Sequence, residues 1–211
     1  MPPRHPRVYL VTDPSAGPHV VARSASALGA LPPGAAAVQL RDRGASGRDL
    51  LALALALREV TSATGQVLLV NDRIDVAMAA GADGVHLPSA GIPPGDARRL
   101  LGSTALVSVS CHSRDDVARA LAGGADFATF GPVYDTPSKR GYGPPVGLER
   151  LREAAALGLP LVGLGGIDPG NARAVVEAGA AGVAAIRAWL DAADPGEAAR
   201  RTLDAVEGTE R

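Results

Sequence analysis

Eight short apolar segments recur along the whole chain, and they constrain its fold more than any other feature. They lie at 8–12 (VYLVT), 37–41 (AVQLR), 67–70 (VLLV), 84–87 (GVHL), 105–110 (ALVSVS), 126–130 (DFATF), 161–164 (LVGL) and 182–186 (GVAAI). Runs this short and apolar, bounded by turn residues, read as buried strands. Helical stretches lie between most of them. Residues 47–63 place Leu50, Leu51, Ala54, Leu57 and Val60 at spacings near 3.6. Ser113 with Asp116 predicts a capping-box start for a helix running to about Leu121. Asp168-Pro169 and Asp194-Pro195 each predict an N-cap residue followed by proline at the first helical position. Strands alternating with helices predict a parallel sheet covered by helices, and eight of them predict a closed (β/α)8 TIM barrel. An open doubly wound sheet is the alternative, but no G-x-G-x-x-G follows the first strand. The 211 residues fit one such domain, spanning 1–211.

An internal echo supports the alternation. AAGADGVHL (79–87), LAGGADFATF (121–130) and EAGAAGVAAI (177–186) share one plan, a helix ending at glycine with a strand starting two or three residues after the following alanine. Glycine there relieves the left-handed helix cap.

Composition narrows the partners. A net charge of −1 gives no electrostatic basis for binding nucleic acid or an anionic membrane. Cys111 is the single cysteine, so no intramolecular disulfide forms, and it is expected to pack as a small hydrophobe. Arg58 and Glu59 end the Leu/Ala stretch from Leu50 well short of a membrane span. Residues 1–7 (MPPRHPR) lack the apolar core of a signal peptide, and the expected location is the cytoplasm. The oligomeric state stays open, a homo-oligomer included.

In a barrel of this kind the chemistry sits at the C-terminal strand ends. Strand 1 ends in Thr12-Asp13. Gln39, Arg41 and Arg43 alternate, so they share one face, where two guanidinium groups repel unless an anion lies between them; a solvated basic edge is the plain alternative. Strand 3 leads into Asn71-Asp72, which suits either a hard cation such as Mg2+ or a helix N-cap. Strand 4 delivers His86. Strand 5 places Ser108, Ser110 and His112 on one face and Val107, Val109 and Cys111 on the other, and a histidine at the mouth suits acid/base work. The long loop after strand 6 carries Thr136, Ser138 and Lys139, two hydroxyls and a cation that suit phosphate oxygens. After strand 7, Gly165 and Gly166 suit close backbone approach to a phosphate.

Taken together, these segments resemble the thiamine phosphate synthase/TenI-like superfamily over nearly the whole chain. The stretches that carry the resemblance are YLVTD (9–13), VQLRDR (38–43), VNDRIDVAMAAGADGVHL (70–87), SCHS (110–113), GPVYDTPSK (131–139) and GLGGIDPGN (163–171). The resemblance implies a TIM barrel. Its synthases join hydroxymethylpyrimidine pyrophosphate to a thiazole phosphate with Mg2+, releasing pyrophosphate. It implies a pyrophosphate site at Gln39, Arg41, Arg43, Asn71 and Lys139, a metal ligand at Asp72 and a pyrimidine contact at His86. It also implies thiazole phosphate contacts at Thr136, Ser138 and Gly166.

The chain departs from the synthase pattern at three places. Where synthases continue His-x-Gly-Gln-x-Asp, this chain reads HLPSAG, so Gly91 replaces the second metal-binding aspartate. Arg43 stands where lysine is usual. Ile186-Arg187 replaces a terminal Ile-Ser. The LPS segment at 87–89 and the SCHS histidine look like the related thiazole tautomerases, which aromatise a thiazole carboxylate phosphate without a metal. On these grounds the sequence points first to a tautomerase with His112 as proton shuttle and no cofactor. The alternatives are a Mg2+-dependent synthase, or a silent ligand-binding or regulatory barrel. In each case the partner is a small phosphorylated molecule.

Overall fold

The computed structural model describes residues 5–136 and 144–208. Eight parallel strands, β1 (Val8–Val11), β2 (Ala36–Leu40), β3 (Val67–Asn71), β4 (Gly84–Leu87), β5 (Leu106–Cys111), β6 (Phe127–Phe130), β7 (Leu161–Leu164) and β8 (Gly182–Ala185), close into a barrel in sequence order. Closure runs through β1 and β8, with Tyr9 beside Ala184. The predicted (β/α)8 barrel is what forms, and each strand lies within a residue or so of its predicted segment.

The strand alternation separates two cores. Outward side chains such as Leu10, Val38, Leu68, Val85 and Val107 pack with the surrounding helices in one large cluster, which also contains the buried thiol of Cys111. Inward side chains Tyr9, Ala37, Leu69, Phe127, Val162 and Ala184 form a second cluster that fills the lower barrel. Burying a side chain the size of Leu69 or Phe127 contributes about 1.5–3 kcal/mol. Two residues further along β2, β3 and β6, the same inward face carries Gln39, Asn71 and Thr129. The interior therefore turns from apolar to polar toward the C-terminal ends. Gly84 faces inward where a Cβ would collide with the Leu106 backbone, so β4 and β5 approach more closely than any side chain allows.

The helices follow from their caps and apolar faces. In α2 (Gly47–Thr64), Ser46 accepts from the Asp49 amide and Leu50, Ala54, Leu57 and Thr61 form the buried stripe. The capping box is present at the start of α5 (Arg114–Ala122), between Ser113 and Asp116. Asp194 caps α9 (Pro195–Glu207) with Pro195 at the first turn, as expected. Asp168-Pro169 does not start a helix. Asp168 instead closes a turn by accepting from the Gly170 amide, and α7 (Ala172–Glu177) begins after Asn171. The side chain of Asn171 bonds both the Asp168 amide and the Gly166 carbonyl, so this segment braces the preceding loop before the helix begins. Neither Asn71 nor Asp72 caps α3 (Ile74–Ala79), because Arg73 occupies the cap position without a side-chain bond.

The internal echo has a structural basis. Gly81, Gly124 and Gly179 all adopt positive φ, at 60°, 78° and 100°. The carboxylates of Asp83 and Asp126 each reach back to a backbone amide, of Leu68 and Val107 respectively, at 2.8 Å, and each also takes an arginine, Arg58 and Arg98. The third copy has Ala181 in that place and lacks the clamp.

Candidate active site

A cavity of about 340 Å³ opens at the C-terminal end of the barrel. Ring order fixes what faces what. The β2–β3 ends and the β6–β7 loops are four strands apart in the eight-membered ring and lie across the mouth from one another. Gln39, Arg41, Arg43 and Asn71 line the first side, and Thr136, Gly165 and Gly166 line the second. His86, Ser110 and His112 form the wall between them on β4–β5. Asp13, Ile186 and Arg187 form the opposite wall on β1 and β8.

Most of the residues singled out in the sequence thus converge on one cavity. Asp72 does not line it. It sits exposed at the β3 end with φ of 66°, its amide donating to the His86 carbonyl at 2.9 Å. Ser138 and Lys139 lie outside the described residues. Sequence reasoning gave no role to Thr129, Ser89 or Asp13, which also line the cavity. For Thr129 the signal was available, since it shares the inward face with Phe127 two residues earlier.

Each side has its own support. The Arg41 amide donates to the buried Thr12 hydroxyl at 2.8 Å, which ties the end of β2 to β1 and aims the basic segment. Asp13 lies near both Arg41 and Arg187. Its carboxyl is held below the ordinary range first by the Ser15 hydroxyl and amide, with the two arginines adding to that effect against partial burial. Across the mouth, the β6 and β7 loops interlock through Val133 N donating to Leu164 O at 2.8 Å and Tyr134 N to Gly165 O at 3.0 Å. A Cβ on Gly165 would lie 2.6 Å from Pro132, and one on Gly166 would lie 2.8 Å from Tyr134. Both residues also have positive φ. Their lack of side chains is thus demanded by the neighbouring loop.

The histidines differ. His86 is buried between two hydroxyls, with Ser108 Oγ 2.8 Å from Nδ1 and Ser110 Oγ 2.8 Å from Nε2. Burial, aided by nearby Arg41, pushes its pKa down to about 3, so the ring is neutral at physiological pH. His112 sits at the exposed rim, with Nδ1 2.6 Å from the Gly131 carbonyl oxygen. Burial pushes the Cys111 thiol up to about 12, which rules it out as a thiolate nucleophile at neutral pH.

Among the described residues, no three His, Cys, Asp or Glu side chains come together as a metal site. Where the synthase pattern has its second carboxylate, a Cβ on Gly91 would lie 2.9 Å from the Pro88 ring. Asp72 is then the one carboxylate left of the implied metal set. Mg2+ binds through one or two carboxylates plus substrate phosphates. The donors present therefore fit an ion that arrives on a diphosphate, and do not fit one held by the protein alone.

A (β/α)8 barrel whose polar mouth carries arginines on one side and a glycine loop on the other has groups of the kind that suit phosphates. Comparison with known proteins narrows the class. The profile of the family described as Thiamine monophosphate synthase matches residues 8–189. A putative thiamine-phosphate synthase of Geobacter sulfurreducens (strain ATCC 51573 / DSM 12127 / PCA) is 52% identical over 176 residues, covering 83% of each chain. The thiamine-phosphate synthase of Roseiflexus sp. (strain RS-1) is 45% identical over 201 residues, covering 94% of this chain and 84% of the relative. The solved thiamine phosphate pyrophosphorylase from Pyrococcus furiosus superposes with a TM-score of 0.85 at 32% identity, covering 96% of each chain. The chain belongs to the thiamine monophosphate synthase family. The similar proteins carry the synthase name, so the order of preference drawn from HLPSAG and His112 is reversed. No helix among the described residues is long and apolar enough to cross a membrane.

Proposed function

We propose that this protein joins a hydroxymethylpyrimidine diphosphate to a thiazole phosphate, forming thiamine phosphate and releasing diphosphate. The observation that carries this reading is the pair of anion-binding sides facing each other across one polar cavity. The substrates are both anionic, and their reacting carbon and nitrogen must meet in the middle. The Arg41 and Arg43 side holds the diphosphate. The interlocked Gly165–Gly166 loop with Thr136 holds the thiazole phosphate; from sequence, Ser138 is assigned to that phosphate and Lys139 to the diphosphate.

The thiazole ring nitrogen donates its lone pair to the exocyclic methylene carbon of the pyrimidine. The C–O bond to diphosphate breaks and the departing oxygen takes that electron pair. Negative charge grows on the leaving group, and fixed guanidinium groups stabilise it where it develops. Asn71, which lines the cavity, would help hold a magnesium ion brought in on the diphosphate, and that ion would supply further charge neutralisation; Asp72 stands beside Asn71, outside the cavity lining. Loop interlock and the Thr12–Arg41 bond hold the two sides at a fixed separation, so the reaction gains from positioning.

Purified protein supplied with both substrates and Mg2+ should yield thiamine phosphate and diphosphate in equal amounts. Absence of both products would sink the synthase reading. One observation favours a second reading: His112 has its Nδ1 tied to a carbonyl, leaving Nε2 available at the cavity rim as a base. If the same protein instead aromatises thiazole carboxylate phosphate without metal, it is a tautomerase.

A further inference from the structure

Among the described residues, one buried polar side chain makes no hydrogen bond. The others, from Thr12 after β1 to Thr202 on α9, all bond through their side chains. Thr129 on β6 is 3% exposed, and its hydroxyl meets no partner among the described residues. That hydroxyl is not sealed in the core, because Thr129 lines the cavity. We propose that Thr129 is a specificity-determining residue whose hydroxyl pairs with a ring nitrogen of the pyrimidine substrate on the cavity floor.

A hydroxyl buried without a partner is costly. Valine has nearly the same shape, suits a strand as well and carries no such cost. The hydroxyl is therefore to be explained by what enters the cavity. The floor around it is divided. Register places Ser110 of β5 beside Thr129 on one side and Val162 of β7 on the other. From β2 to β6 the floor is polar, with Gln39, His86, Ser110 and Thr129 among its lining. From β7 round to β1 it is apolar, with Leu164, Ala184 and Val11. A flat ring with polar atoms on one edge and carbon on the other matches that division. Ser110 is already engaged by His86 Nε2 at 2.8 Å, which leaves Thr129, at the end of the polar arc, as the uncommitted hydroxyl.

The choice of ring rests on the proposed synthase reading. The thiazole has one ring nitrogen, and that nitrogen is the nucleophile. A hydroxyl donating to it would tie up the reacting lone pair. The pyrimidine has two ring nitrogens that take no part in bond making, so either can accept from Thr129. One methylene joins its ring to the diphosphate, which is assigned to the β2–β3 side, where the polar arc begins.

Thr129→Val removes the hydroxyl and keeps the shape. Its urea midpoint should equal or exceed that of the unmodified protein, because an unpaired hydroxyl is lost; a lower midpoint, or failure to fold, would make the hydroxyl structural and overturn the proposal. Calorimetric titration uses four probes: hydroxymethylpyrimidine diphosphate, benzyl diphosphate, inorganic pyrophosphate and thiazole phosphate. Affinity for the pyrimidine probe should fall by about 2–10-fold in Thr129→Val, the loss of one neutral hydrogen bond, with the other three unchanged. Thr129→Ser, which keeps the hydroxyl, should restore the pyrimidine affinity. A loss confined to thiazole phosphate, an equal loss on benzyl diphosphate, or no loss at all would overturn the proposal, as would an unmodified protein that does not take up the pyrimidine probe. Pyrimidine binding through Thr129 without thiamine phosphate formation would sink the synthase reading and keep this one. A working synthase indifferent to Thr129→Val would do the reverse.

Discussion

His112 Nδ1 lies 2.6 Å from the carbonyl oxygen of Gly131. A carbonyl can only accept, so the Nδ1 proton is donated and the lone pair stays on Nε2. The same residue is held from its backbone, because its amide donates to Asp116 Oδ2 at 2.9 Å. The imidazole is therefore fixed between β5 and the loop after β6. His112→Asn removes the ring base and keeps a polar group. If the protein is a synthase, in which no proton leaves the reacting carbon, thiamine phosphate formation should stay within about tenfold of the unmodified rate. Any tautomerase turnover should fall by about 10²-fold or more. Measuring both reactions on both proteins separates the two chemistries.

Asp116 gives an acid-side signature. Burial pulls its carboxyl upward, but the His112 and Ser113 amides, the Ser113 hydroxyl and Arg119 outweigh burial and hold it below the ordinary range. A depressed folded-state value means its stabilisation is present above the unfolded value of about 4 and is lost as pH falls through the lower folded value. Asp116→Ala should cost about 1 kcal/mol at pH 7, the usual size of a helix-cap loss. That difference should shrink steadily below about pH 4. Urea titrations of both proteins at a series of pH values check this, and a difference that is constant down to pH 2 would refute it.

Arg43 is exposed and lines the side of the cavity proposed to hold the diphosphate. Arg43→Ala should weaken inorganic pyrophosphate binding by about 10–100-fold, the loss of one charge-assisted bond. Arg43→Lys should recover part of it, because lysine keeps the charge and loses the bidentate fork. Calorimetric titration with pyrophosphate distinguishes the two. Equal affinity in all three proteins would leave Arg43 a solvated edge residue.

The barrel was legible in the sequence because strand and helix periods differ, and the eight apolar runs were each bounded by turn residues. The inward placement of Gln39, His86, Ser108 and Ser110 followed from simple alternation. What remained hidden depends on distance between separated segments. Asp168-Pro169 looks locally like a helix start, yet Asn171 wins the turn through its bond to the Gly166 carbonyl. Gly165 and Gly166 suggested ligand approach, and the packing against Pro132 and Tyr134 could not be read without the fold. Tyr9 in YLVTD gave no hint that its hydroxyl would accept from Gln39, which lies 30 positions further on.

Metal binding should depend on the diphosphate. With Gly91 lacking a carboxylate and Asp72 outside the cavity lining, the substrate phosphates must supply most of the oxygen ligands. Titration of the free protein with Mg2+ should show weak binding, in the millimolar range, and saturation with pyrophosphate should tighten it by at least tenfold. Micromolar Mg2+ affinity without any phosphate ligand would refute this.

The two aspartate clamps of the internal echo should differ in strength. Asp126 has a side chain 9% exposed and pairs with Arg98, itself 23% exposed, while Asp83 and Arg58 are each 33% exposed. Water competes less at the first pair, so its bonds lose less to solvation. Both carboxylates also accept a backbone amide at the start of a strand, Val107 for Asp126 and Leu68 for Asp83. Removing either acceptor leaves that amide without its partner. Asp126→Ala should therefore cost about 2–3 kcal/mol and Asp83→Ala about 1–2 kcal/mol, from the loss of charge-assisted bonds. Denaturant midpoints at pH 7 with unchanged slopes give both values, and a larger loss at Asp83 would show that burial does not set the order.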